Sequence, residues 1–128
     1  MLVNVFFYDL SGAQGCSALA PRYTLAMEPR WKSALEMLVR DLTAIPDVER
    51  VVLFGSRARG DNRERSDIDL AVVAPGASII TWDRVKALAE DAPTLLSIDV
   101  VRLDQAGAAL RKVVEDEGIV LFERPRAA

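Results

Sequence analysis

The sequence predicts an α/β domain built on a small mixed sheet flanked by helices. Three observations carry that expectation. Short apolar runs of strand length alternate along the chain with segments of helical period, which is the pattern of helices packed on a sheet. One such run, Val51-Val52-Leu53-Phe54, delivers the chain directly into Gly55-Ser56. The next run begins with Asp67 and Asp69, two carboxylates at the period-two spacing that puts them on one face of a strand.

Residues 1–26 stand apart from this alternation. They open on Leu2-Val3-Asn4-Val5-Phe6-Phe7-Tyr8 and later contain Ala18-Leu19-Ala20, a poor imitation of a signal-peptide cleavage site because no Lys or Arg precedes the apolar run and Asp9 interrupts it. The segment reads as an N-terminal extension, partly disordered, with an edge strand followed by a loop, or a translation start at Met27, as the alternatives. Residues 27–123 form the expected domain and 124–128 a tail, the chain fraying from Glu123 onward.

A first helix is expected over 29–44, where Trp31, Leu35, Leu38 and Leu42 recur at helical spacing and Pro46 prevents continuation. Residues 49–54 follow as a strand buried on both faces. Ser56 is placed to cap a short helix reaching Arg59 or Gly60, and the polar loop after it leads to a second strand over 67–74, stopped by Pro75-Gly76. A helix over 81–91, with Trp82, Val85, Leu88 and Ala89 inward, precedes a third strand over 97–103. A helical crossover between the second and third strands favours a parallel pair, which would set Asp99 beside Asp67 and Asp69. Asp104 is a candidate cap for a last helix over 105–117, with Ala109, Leu110, Val113 and Val114 as its packing stripe. Gly118 closes that helix, and Ile119-Val120-Leu121-Phe122 is a terminal strand.

Composition narrows the chemistry. The 128 residues are 51% hydrophobic and 27% charged, suited to one soluble domain with a single core. A net charge of −3 creates no global field for nucleic acid, and no direct DNA binding is expected. The stretch 57–66 is locally basic, with four Arg against Asp61 and Glu64. No run is long enough to span a membrane, and a lone Cys16 fits a reducing, cytoplasmic setting. With no histidine in the chain, Ser-His-Asp triads and histidine general bases are excluded, so acid–base work falls to carboxylates, metal-bound water or the substrate.

A turn whose backbone can approach a ligand closely is a place to hold phosphate, with an ordinary helix N-cap as the plainer reading. Two like charges on adjacent same-face positions are best tolerated where a divalent cation sits between them, and Mg²⁺ prefers such hard oxygen ligands together with substrate phosphates. Asp99 is the candidate third ligand, or else a strand aspartate facing solvent at an edge. Arg57 and Arg59 flank the turn and are candidates for contact with phosphate or an acidic partner, whereas Arg63 and Arg65 read as a solvated loop.

Gly55-Ser56, ten intervening residues, then Asp67-Ile68-Asp69 resembles the signature of the polymerase-beta-like nucleotidyltransferase superfamily. The fuller wording, GSRARG and then SDIDLAVV, looks most like its minimal nucleotidyltransferases, often the antitoxins of HEPN ribonuclease toxins. The resemblance covers about residues 28–122. It implies a polymerase-beta-like core in which Gly55 and Ser56 hold the β- and γ-phosphates of ATP. It also implies that Asp67 and Asp69 bind two Mg²⁺ ions, and that Asp99 binds the one that activates the acceptor. The implied activity is transfer of AMP to a protein hydroxyl, a tyrosine of a partner HEPN toxin. The alternatives are an antitoxin that neutralises by binding alone, and transfer to a small molecule or an RNA end.

Overall fold

The computed structural model describes residues 30–125, so the expectations for residues 1–26 and for the last three residues lie outside the described part. The chain enters through helix α1 (Arg30–Thr43), whose buried Ala34, Leu35, Leu38, Val39 and Leu42 return at steps of three and four, as one face of a helix must to be covered. The helix ends in a turn in which the Ile45 N–H donates to Leu42 O and Val48 N–H to Ile45 O, so Ile45 and Val48 are also drawn into the core. Pro46, with no N–H to give, sits in that turn.

Strand β1 (Arg50–Phe54) has Val51, Val52 and Leu53 buried in succession, as expected of a strand covered on both faces. It is followed by the single turn α2 (Ser56–Arg59), the strand β2 (Ile68–Val73) and helix α3 (Ile79–Glu90). Ser78 caps α3, its hydroxyl accepting from the Thr81 N–H at 3.1 Å. Strand β3 (Ile98–Arg102), a 3₁₀ turn at Leu103–Gln105, helix α4 (Ala108–Glu117) and strand β4 (Ile119–Glu123) complete the described chain.

The four strands lie in the order β3-β2-β1-β4. β1 runs antiparallel to both β2 and β4, while β2 and β3, joined through α3, are parallel. The sheet is therefore mixed, as the sequence predicts. Helices α1 and α3 cover one face, in a core formed by residues such as Leu35, Leu38, Val51, Leu53, Leu70 and Val85. The other face is thinner. Val52, Ala71, Leu103 and Val114 form its buried centre, and α4 reaches it chiefly through Val114 and the half-buried Leu110. The end of α4 lies so close to β1 that a Cβ on Gly118 would collide with Val52 and with the Val114 carbonyl.

Three local expectations are corrected. Asp104 does not cap the last helix, which starts three residues later with Gly107 at its N-cap. Its carboxylate accepts instead from the Ala74 N–H at 2.9 Å and from Arg102 Nε at 3.1 Å, tying β2 to the end of β3. Of the expected α4 stripe, Ala109 and Val113 are exposed, because one helix covers only part of this sheet face. The fraying expected from Glu123 is displaced: Glu123 ends β4, and Arg124 donates through Nε and Nη2 to the carbonyls of Val48 and Thr43.

Candidate functional site

The half-covered face of the sheet carries the acidic residues. Asp69 alternates with Ala71 and Val73 along β2, and Asp99 with Val101 along β3, so all five face the same way as Val52 and Phe54. The parallel register pairs Asp69 directly with Asp99, and the antiparallel register pairs Asp69 with Phe54, the last residue before the turn. Asp67 immediately precedes β2, two residues from Asp69. The strand pairing thus assembles the carboxylates that the sequence picks out.

Gly55 is required here for two independent reasons. Its φ of 79° lies in the left-handed region, where side chains are strained. A Cβ at this position would also run into Asp69 Oδ2. The backbone of the turn and the carboxylate of β2 therefore touch, and any side chain at position 55 would displace one of them.

Ser56 opens α2 instead of capping it. Gly55 is the N-cap, its carbonyl accepting from the N–H groups of Ala58 and Arg59, and no side-chain bond caps the turn. The first amides of the turn have no helical acceptor, as at any helix start. Gly60, in the left-handed region at φ 87°, ends the turn with its N–H on Ser56 O.

The electrostatics of Asp69 are those of a carboxylate short of cations. Its pKa is raised, first by burial and then by repulsion from Asp99 and Asp67, while Arg59 pulls it the other way. Arg59 is exposed and held by two acids, with Nε at 3.1 Å from Asp61 Oδ2 and Nη1 at 2.9 Å from Glu117 Oε1. Those neighbours raise its own pKa, the hydrogen bond to Asp61 contributing most. It stands at the rim of the acidic site as a cation that phosphate could recruit.

Arg57 has a different occupation from the phosphate contact expected of it. It is the buried charged residue of the described chain, 4% exposed, and its guanidinium turns into the loop that follows. Nε donates to Ser66 O at 3.0 Å, and Nη2 to Glu64 O at 3.0 Å and Arg63 O at 3.4 Å. Its plane lies over the Trp31 ring, 4.7 Å from the centroid. Burial lowers its pKa. Sequence reasoning missed this because an arginine in a basic stretch carries no sign of which carbonyls it will meet.

The donor set suits a hard divalent cation: carboxylate oxygens on adjacent strands, mutually repelling, with one exposed arginine as the nearby counter-charge. Among the described residues, no three acids, histidines or cysteines are already drawn together as a closed metal cage. The trio is brought within electrostatic reach by the sheet and left open on the solvent side, where Asp67 and Asp99 are exposed.

The family described as polymerase beta, nucleotidyltransferase matches residues 36–127. The chain is 33% identical over 100 residues to a protein adenylyltransferase MntA of Aphanizomenon flos-aquae, covering 70% of this chain and 67% of that protein. It is 34% identical over 87 residues to the protein adenylyltransferase MntA of Shewanella oneidensis, over 66% of this chain and 60% of the relative. Among solved structures it is similar to a chain of a toxin–antitoxin crystal structure with AMP-PNP. That match has a TM-score of 0.55 and 31% identity, over 71% of this chain and 72% of that one. Gly55 against Asp69, and Asp69 against Asp99, thus stand on a strand framework whose sequence and fold agree, and the chain belongs to the polymerase beta nucleotidyltransferase family.

Proposed function

We propose that this chain transfers AMP from ATP to a hydroxyl of a partner protein, a tyrosine of a HEPN toxin, and so acts as an antitoxin. The observation that carries the reading is the contact between the Gly55 turn and Asp69, with Asp99 paired beside it. A turn with no side chain at Gly55 and a cluster of hard oxygen ligands are then side by side, as phosphoryl-group chemistry requires. The protein-directed acceptor is supported by the two relatives named protein adenylyltransferase. The toxin partner and the adenine nucleotide are supported by the toxin–antitoxin structure with AMP-PNP.

In this reading Gly55 lets the backbone come against the β- and γ-phosphates, and the Ser56 hydroxyl donates to a phosphate oxygen. Arg59 leaves Asp61 or Glu117 to meet the same phosphates from the rim. Asp67, Asp69 and Asp99 would hold Mg²⁺, which when bound supplies the positive charge that neutralises the triphosphate and orients an in-line displacement. The acceptor oxygen forms a bond to the α-phosphorus as the bond to the β-phosphate breaks, and pyrophosphate leaves. The chain offers no histidine for the acceptor proton, which leaves the carboxylates or the substrate itself to take it.

The test is the intact mass of a HEPN partner incubated with this chain, ATP and Mg²⁺. The expected result is addition of AMP by the native chain and none by Asp69→Asn. Neutralisation of the toxin with no mass change, retained in Asp69→Asn, would overturn transfer in favour of an antitoxin that acts by binding.

A further inference from the structure

Of the ten residues between Ser56 and Asp67, the first three belong to α2, and the loop from Gly60 onward must return the chain to the start of β2 at the correct distance from Gly55. Little of this loop reaches the core, since Asp61, Arg63, Glu64 and Arg65 are all exposed. What orders it is Arg57. Its buried guanidinium collects the carbonyls of Arg63, Glu64 and Ser66, and for those of Glu64 and Ser66 it is the donor the loop itself does not supply. Ser66 Oγ accepts the Arg63 N–H at 2.8 Å, and the Ser66 N–H donates to Arg63 O at 3.1 Å, closing a small ring on the same stretch. Trp31 of α1 lies against the outer side of the guanidinium. Among the described residues Arg57 makes no ion pair, so carbonyl oxygens and an aromatic face are what offset its burial.

The next residue after this ring is Asp67. We infer that Arg57 is a positioning residue: by bridging from the phosphate turn to the carbonyls of residues 63–66, it sets the length and path of the loop and so places Asp67 beside Asp69. The inference rests on the proposed function for its consequence, because the placement matters to the carboxylate cluster assigned there. It also gives a physical reason for the ten-residue spacing of the two motifs in this chain. A planar fork with donors on two edges spans these carbonyls, whereas a lysine ammonium offers one point and no plane to stack on Trp31.

The experiment compares the native chain with Arg57→Lys and with Ser66→Ala, which removes the hydroxyl of the ring and leaves the buried arginine in place. Two readouts are taken: amide hydrogen exchange of Arg63 and Ser66 without ligand, and Mn²⁺ binding followed by electron paramagnetic resonance. For Arg57→Lys we expect both amides to exchange at least about tenfold faster and Mn²⁺ affinity to fall about tenfold, the scale of losing an outer partner of a metal site. Ser66→Ala should shift both in the same direction by less, and it decides the matter if Arg57→Lys does not fold. Unchanged exchange and Mn²⁺ affinity, with weakened AMP-PNP binding alone, would overturn the inference and return Arg57 to direct phosphate contact. A native chain that binds no Mn²⁺ would instead sink the nucleotidyl-transfer reading, while the exchange rates still decide whether Arg57 holds the loop.

Discussion

Strands β2 and β3 have acidic residues at both of their ends, one beyond the C-terminal end and three at the N-terminal end, and the two ends treat them in opposite ways. Beyond the C-terminal end, Asp104 has every need met: the Ala74 N–H at one oxygen and Arg102 Nε at the other. Arg102 in turn donates to the carbonyls of Ala74 and Ala77, both at 2.9 Å, and lies over Trp82. At the N-terminal end Asp69 is repelled by Asp99 and Asp67, and among the described residues none of the three side chains accepts a hydrogen bond or joins an ion pair. The first arrangement stabilises the fold. The second costs stability, and such a cost is typical of places where a ligand completes the structure.

Substitutions should separate the two ends. The largest effect is expected from Asp69→Asn. Loss of an outer partner of a metal site alone costs roughly 10–100-fold, so loss of a ligand should lower the rate of AMP transfer by more than about a hundredfold. The same change should raise Tm, since it removes repulsion and a half-buried charge. Asp104→Ala should do the reverse. It takes the counter-charge from a largely buried guanidinium and the acceptor from the Ala74 N–H, and unfolding by denaturant should show a loss of about 3 kcal/mol, with transfer per folded molecule retained. Gly55→Ala combines the two ends' penalties, about 1–3 kcal/mol of backbone strain together with displacement of Asp69, so both stability and transfer should fall.

A smaller effect concerns pH. A carboxylate whose folded-state pKa is raised binds its proton more tightly folded than unfolded, so between the ordinary carboxylate pKa and the raised one stability increases as pH falls. The native chain should therefore gain stability relative to Asp69→Asn over the pH interval just above the usual carboxylate range, in denaturation midpoints taken without divalent cations. The smallest effect on stability is expected from Arg59→Ala, whose partners are solvent-accessible. Its signature should be a raised KM for ATP and a further upward displacement of the Asp69 titration, because Arg59 is the group that lowers it.

Much of this was legible in the sequence for a simple reason: strand alternation and the crossover rule act on position alone. Period two places Asp67 and Asp69 on one face, and a helix between two strands predicts the parallel register that brings Asp99 to Asp69. The apolar run of β1 reads directly as burial on both sides, as Val51, Val52 and Leu53 show. What could not be read were long polar side chains whose partners are distant or depend on loop path. Arg57 looks like its neighbours Arg59 and Arg63, yet it is buried and they are exposed. Asp104 sits where a helix cap belongs, but a 3₁₀ turn delays the helix and frees the carboxylate for Ala74 and Arg102. The exposure of Val113 depends on how much of a sheet face one short helix can cover, which its own period does not say.

An end of the sheet where Asp69 lies beside Asp99 and Asp67 is suited to a divalent cation and a nucleoside triphosphate. Thermal unfolding of the native chain and of Asp69→Asn, each with and without Mg²⁺ and AMP-PNP, tests it most directly. The predicted result is a native chain that is less stable than the variant alone and gains several degrees with both ligands, while the variant gains almost nothing. Equal gains in the two proteins would place the ligands elsewhere and contradict the account.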